Sequence, residues 1–182
     1  MKSLLLIILI LFGKAFTAEP EYLKYHKAFG IKASNLSGYG AFYGYKPVKE
    51  VRLQVTGIPY FFDQKVGNER WTITNYTIGM EIQKDIIQEE KYRCYLMTGG
   101  YYYHDNDKTA SRTDTVHIIK NSYNCGLGFG YEYFFHRITL GIEIGYKYYY
   151  DKSVEAVGNG EYIPVQEKVS KLGAGLNLGF IF

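Results

Sequence analysis

The chain has 182 residues and a formal net charge of +3; 21% of its residues are charged and 18% are aromatic. This aromatic content excludes a disordered chain, and two cysteines are too few for a disulfide-stapled scaffold. The small positive excess argues against nucleic acid as a partner, and nothing in the sequence calls for a cofactor. The 20 tyrosines and 20 glycines are the compositional feature to be explained.

Residues 1–18 have the three parts of a secretory signal peptide: a basic start, a short apolar run and small residues before the exit. The apolar run, Leu4 to Phe12, is too short to cross a bilayer as a helix, which needs roughly 20 residues. We therefore expect an exported protein, cleaved after Ala15 or Ala18. Cleavage after Ala18 leaves residues 19–182 as one mature domain.

The mature chain shows long stretches in which apolar and polar residues alternate. In the clearest, Ile138, Leu140, Ile142 and Ile144 share one face, and Glu143 lies on the other. Such segments match the roughly 9–11 residues that a tilted strand needs to cross a membrane. Read along the chain, the pattern predicts eight strands near 26–33, 37–45, 51–62, 71–84, 92–103, 121–135, 137–150 and 169–182.

The predicted connections alternate in length, with short turns at one end and longer polar loops at 63–70, 104–120 and 151–168. This arrangement is typical of outer-membrane barrels. We predict an all-β fold, an eight-stranded antiparallel transmembrane β-barrel with both termini on the periplasmic side. A parity change in the fourth strand predicts a bulge near Thr74 and Asn75.

The minority face of the strands is rich in glycine and carries few charges, of both signs. A solvated outer surface would carry more of them, so we assign this face to the lumen, where buried charges must pair. The predicted lumen charge network consists of Lys32, Arg52, Glu81, Arg93, Glu132, Glu143 and Lys147. It is either a static plug or a gate, and the narrow interior of an eight-stranded barrel favours the plug.

A signal peptide, eight alternating strands and the ending Leu178-Gly179-Phe180-Ile181-Phe182 together resemble the small outer-membrane β-barrel proteins, the OmpA-transmembrane-domain and OmpX-like group. The resemblance covers nearly all of the mature chain. It implies the outer membrane of a Gram-negative type of envelope and contact with outer-membrane lipid. It also implies that the barrel-assembly machinery reads Phe180 and Phe182.

Other groups of reactive side chains give weaker signals. The residues that could bind a cation lie in or beside the largest predicted loop: His104, Asp105, Asp107, Asp114 and His117. A solvated polar loop is the favoured interpretation, so we predict no metal. His117, Ser122 and Asp114 are the local candidates for a lipid-modifying enzyme. Their spacing matches no nucleophile motif, and Ser122 is predicted to face the lumen. We therefore expect no enzyme.

Cys94 and Cys125 are predicted to face lipid near opposite ends of the barrel, too far apart for a disulfide. The sequence thus favours a non-enzymatic barrel with a structural or surface-interaction role, with any extracellular ligand bound at the three longer loops. The alternative is a narrow passive channel for ions or small solutes.

Overall fold

The computed structural model describes residues 25–67, 69–110, 115–157 and 161–182, so the predicted signal peptide at 1–18 lies outside the described residues. The described chain is almost entirely strand, and none of it forms a helix long and apolar enough to cross a membrane. The strands are β1 (Lys27–Ser34), β2 (Gly38–Val48), β3 (Val51–Val66), β4 (Glu69–Gln88), β5 (Tyr92–Ala110), β6 (Thr115–Phe135), β7 (Ile138–Val157) and β8 (Glu161–Ile181).

The eight strands form one closed barrel in chain order. Each strand pairs antiparallel with the next, and β1 closes the ring against β8, from Ala28↔Ile181 to Ser34↔Gly175. A closed ring leaves no unpaired sheet edge, which is what a strand protein needs inside a bilayer. The predicted eight-stranded antiparallel barrel is confirmed.

The two faces of the wall are inverted relative to a soluble protein. On β7, Leu140, Ile142 and Ile144 are 50%, 53% and 62% exposed, whereas Thr139 and Glu143 between them are buried. Exposed apolar side chains form a belt that runs from Tyr76 to Ile87 on β4 and from Ile138 to Tyr148 on β7. Only a hydrocarbon layer would shield such a belt, so the predicted assignment of the apolar face to lipid is confirmed.

The strands differ greatly in length, so one side of the barrel wall is much taller than the other. β1 has 8 residues and β2 has 11, whereas β4 to β8 have between 19 and 21. We call the end that carries the extended hairpins the upper end, and the end that carries both termini of the barrel the lower end. The long strands continue beyond the apolar belt at the upper end.

The prediction of loops at 63–70, 104–120 and 151–168 is wrong in the main. Most of these residues extend the strands, and the connections shrink to residues 67–68, 111–114 and 158–160, most of which lie outside the described part. Above the bilayer both faces of a hairpin meet water, so the apolar alternation that identifies a membrane strand disappears there. The strands' polar ends therefore look like loops in the sequence.

The predicted bulge near Thr74 and Asn75 is also wrong. The pairing of β3 with β4 runs without a shift from Val51↔Lys84 to Val66↔Glu69. The register shift in β4 lies instead at its lower end, between Asp85 and Ile87. The change of apolar phase at Trp71 arises because that part of β4 lies above the belt, where no lipid selects the outward face.

Candidate functional site

The lumen contains a cluster of buried charges centred on Lys32 of β1. Its ammonium group contacts Glu81 Oε2 at 2.5 Å and Glu143 Oε1 at 2.6 Å. Glu143 also accepts hydrogen bonds from Ser34 Oγ and from the Tyr95 hydroxyl, each at 3.1 Å. One cation thus joins carboxylates from β4 and β7, on distant parts of the wall, across the interior.

A second cluster, nearer the lower end, is centred on Glu132 of β6. Both of its carboxylate oxygens accept from Arg52 Nη1 at 3.0 Å, and one of them also accepts from Arg93 Nε at 2.5 Å. Arg93 is fully buried, contacts Asp85 at 2.5 Å and lies 4.3 Å from the centre of the Tyr95 ring. The Arg93 guanidinium is therefore surrounded by acids and an aromatic face.

Gln83 joins the two clusters into one network. Its amide nitrogen donates to Glu81, and its amide oxygen accepts from Arg93. At the lowest point Lys46 contacts Asp85 at 2.7 Å. Cations and anions thus alternate along a continuous chain of contacts, which is the arrangement that offsets the large desolvation cost of burying each charge.

The structure places all seven charges of the predicted network inside the lumen, each with 7% or less of its surface exposed. Six of them belong to the network just described, and Lys147 does not. Lys46 and Asp85 were missed because the predicted strands ended at residues 45 and 84. Gln83 lies inside a predicted strand but was missed because it carries no charge. The signal was present, since Asp85 continues the odd-numbered inward face of Glu81 and Gln83.

An apolar layer covers the network from above. The turn between β1 and β2 folds into the barrel and buries Leu36 completely, against Tyr95 and Met97. Asn35 holds the turn to β8 through two hydrogen bonds with Ala174, of 3.1 Å and 2.9 Å. We call Leu36, Tyr95 and Met97 the Leu36 seal.

Two wall glycines make room for this turn. A Cβ atom on Gly79 of β4 would lie 2.2 Å from the carbonyl oxygen of Ser37, and one on Gly173 of β8 would lie 2.5 Å from a Leu36 methyl carbon. Any side chain at these positions would displace the turn. Part of the high glycine content thus permits the chain to cross its own lumen.

Above the Leu36 seal lies a cavity of about 450 Å³, which we call the vestibule. It is open to the upper end and carries lysines, acids and tyrosines from β2, β5, β6, β7 and β8. Its lining comprises Tyr39, Tyr101, Tyr103, Lys120, Ser122, Asn124, Lys147, Tyr149, Asp151, Glu167 and Lys171. Lys120 contacts Asp151 at 2.9 Å, and this acid raises the pKa of Lys120.

Of the three residues considered for lipid chemistry, only Ser122 has a described side chain. Ser122 faces the lumen and donates its hydroxyl to Asp151. Asp114 and the side chain of His117 lie outside the described residues. His104 contacts Asn121 Oδ1 at 2.8 Å instead of an acid, and no metal-binding group of His, Cys, Asp and Glu is present in the described part.

The remaining predicted residues lie on the outer wall. Phe180 and Phe182 are 43% and 47% exposed, with ring centres 6.4 Å apart, and Phe182 also exchanges backbone hydrogen bonds with Lys27 where the barrel closes. Their recognition by the assembly machinery stays a prediction. Cys94 and Cys125 are both free, as predicted.

The closed ring, the outward apolar belt and the polar interior define a membrane-spanning β-barrel of the outer-membrane type. No protein-family model and no curated protein sequence matches the chain.

Solved structures do match it. The outer membrane protease OmpT of Escherichia coli matches with a TM-score of 0.51 and 8% identity, over 93% of this chain and 99% of that one. A major outer membrane protein from Thermus thermophilus matches with a TM-score of 0.48 and 14% identity, over 86% of this chain and 98% of that one. Ail, the attachment invasion locus protein of Yersinia pestis, has 0.42 and 13%, over 86% and 93%. At this identity the likeness to OmpT shows a shared fold, and the resemblance predicted from the sequence is confirmed at that level.

Proposed function

We propose that the protein is exported, loses residues 1–18, and serves in the outer membrane as a non-enzymatic structural or surface-interaction barrel with a closed lumen. One observation supports the proposal that the lumen is closed. Two different barriers lie in series across it: the continuous ion-paired network and, above it, the Leu36 seal. Water would have to displace buried charges from their partners and then cross an apolar layer.

The upper hairpins are the surface that such a barrel presents. Their described parts rise above the apolar belt on paired strands, within the segments 63–70, 104–120 and 151–168. A binding surface built on paired strands is held more precisely than one on mobile loops. We place an extracellular ligand there, outer-membrane lipid against the belt, and the assembly machinery at Phe180 and Phe182.

The name of OmpT describes a protease, and that activity is said of OmpT alone. A shared barrel at 8% identity transfers no catalytic residue to this chain. A non-enzymatic role is supported here by the use of Ser122 and Asp151 in a contact inside the lumen. There they face away from lipid.

Conductance of the refolded barrel in a planar bilayer tests the closed lumen. The wild-type protein and Glu143→Gln should both be silent. A double variant that weakens each barrier, Arg93→Ala with Leu36→Ala, serves as the conducting control. Discrete wild-type steps that change in Glu143→Gln would contradict the proposal and identify a narrow passive channel.

A further inference from the structure

The cations of the vestibule are not all neutralised by its acids. Asp151 is engaged by Lys120 at 2.9 Å and by the Ser122 hydroxyl. Glu167, the other acid in the lining, lies 3.5 Å from the Tyr149 hydroxyl that donates to it. Neither acid therefore forms a salt bridge with Lys147 or Lys171.

These two lysines lie directly opposite each other in the pairing of β7 with β8. Both ammonium groups contact the same ring, Tyr149, at 5.0 Å from its centre. Among the described residues, no carboxylate lies within salt-bridge distance of either lysine. Like charges placed opposite each other across two strands repel, so this arrangement is unfavourable by itself.

Lys147 makes the imbalance costly because only 7% of its surface is exposed. A buried ammonium group without an anion loses most of its hydration, and a ring face offsets this only in part. Every other lysine that the structure buries to this degree, Lys32 and Lys46, contacts a carboxylate. Among the described residues, no carboxylate makes this contact with Lys147.

The volume and lining of the vestibule indicate what carries that anion. At about 450 Å³ the cavity has the size of a small-molecule site and is far larger than a bare phosphate. The remaining wall is made of tyrosines and of Asn124, which offer ring faces together with hydroxyl and amide groups. Aromatic faces beside hydrogen-bonding groups suit a sugar ring.

We propose that the vestibule binds a soluble sugar acid or sugar phosphate, with its anionic group between Lys147 and Lys171 and its ring against the tyrosines. The site goes beyond the proposed function, since it requires the vestibule and not a closed lumen below it. The anion relieves the repulsion between the two lysines. The ligand enters from the upper end, to which the cavity opens.

Titration calorimetry on the refolded barrel tests this in zwitterionic detergent at low ionic strength, because salt screens the attraction. The probes are sodium glucuronate, inorganic phosphate and uncharged glucose. We expect glucuronate to bind more tightly than phosphate, and glucose not to bind. Lys147→Gln and Lys171→Gln should each weaken glucuronate binding by about tenfold or more, as expected for loss of a charged hydrogen bond.

The matched control is Lys168→Gln. Lys168 belongs to the same strand as Lys171 and lies 5.5 Å from the ring of Tyr150, but on the outer side of the wall. Its variant removes the same charge and should bind glucuronate like the wild type. Without ligand, Lys147→Gln should retain the barrel and unfold at the same or a higher temperature, because the lysine repulsion is gone.

Three results would overturn the proposal. One is equal weakening in Lys147→Gln and Lys168→Gln, and another is no binding of glucuronate or phosphate to the wild type. The third is binding seen only in vesicles containing phosphatidylglycerol, which would assign the lysines to a lipid headgroup. A conducting wild-type barrel would contradict the closed lumen and leave this test unaffected.

Discussion

The lower lumen and the vestibule are built from the same kinds of inward-facing residues, yet they handle charge in opposite ways. In the lower lumen Lys32 lies between two carboxylates and Glu132 lies between two guanidinium groups. In the vestibule Lys147 shares an aromatic ring with a second cation. Buried charges that all contact an opposite charge stabilise the fold. Lysines without such a contact, beside an open cavity, can bind an anionic ligand.

The Leu36 seal separates the two regions. Its turn comes from the shortest strands of the barrel, β1 and β2, which end while the wall on the other side continues upwards. The turn on the low side of the wall therefore folds inward and closes the lumen. Substitutions in the lower lumen and in the vestibule should therefore have different effects.

Glu132→Ala removes the shared acid of Arg52 and Arg93 and leaves two buried guanidinium groups facing each other. Breaking a buried pair in this way costs about 3–5 kcal/mol. We expect that loss in the free energy of unfolding, measured by denaturant titration in lipid vesicles. Glu167→Ala, which removes an acid from the vestibule rim, should cost less than about 1 kcal/mol. Equal losses would abolish the contrast.

Leu36→Ala should open a cavity in the seal and lower the free energy of unfolding by about 2–5 kcal/mol. Leu172→Ala makes the same chemical change in the apolar belt on the outer wall, where Leu172 is 73% exposed. Lipid can fill the space left there, so its loss should be clearly smaller. If the two variants unfold alike, Leu36 does not seal the lumen.

Ile142→Arg tests the lipid-facing wall that encloses both regions. An arginine facing lipid near the middle of the bilayer should cost about 2–4 kcal/mol. The adjacent Gly141 faces inward, where a Cβ atom would lie 2.4 Å from the Asn177 amide, so Gly141→Arg should prevent folding by crowding. Unchanged folding of Ile142→Arg into vesicles would show that the faces are assigned wrongly.

The stability of two upper hairpins, β3–β4 and β5–β6, should change in opposite directions as the pH falls. Arg70 donates two hydrogen bonds to Asp63 and lowers the pKa of that acid, so this contribution is present above pH 3.8 and is lost as the pH falls below it. Burial, followed by the charge of Asp105, raises the pKa of Asp107. The ionised form is disfavoured there, so acidification towards pH 3.8 stabilises that hairpin.

Amide hydrogen exchange, corrected for intrinsic rates, measures this difference. As the pH falls towards 3.8, protection should rise near Asp107. Below pH 3.8 it should fall near Asp63. Both changes should be small because Asp63 is exposed, Asp107 is only partly buried and salt screens both groups. Changes in the same direction at the two positions would contradict the opposite pKa shifts of Asp63 and Asp107.

The sequence predicts the wall of this barrel better than its contents. Alternation identifies the eight strands and the inward face because lipid selects every second residue in the belt. The same reasoning missed the upper strand ends, where water lies on both faces. It also missed Asp85, which falls one residue beyond the predicted end of its strand.

The Leu36 seal could not be predicted from local pattern. Its inward path depends on Gly79 and Gly173, which belong to strands far apart in sequence. Likewise, alternation placed Lys147 in the lumen but could not separate it from the paired charges. That distinction depends on the register that sets Lys147 opposite Lys171.

Cysteine accessibility tests the separation of the two regions most directly. In a background with Cys94→Ala and Cys125→Ala, one cysteine replaces Asn124 in the vestibule and another replaces Gln54, a buried residue of the lower lumen. A membrane-impermeant thiol reagent is applied to folded protein in vesicles. We predict rapid labelling of Asn124→Cys and none of Gln54→Cys before unfolding. Comparable labelling of both would show that water passes the Leu36 seal and that the lumen is open.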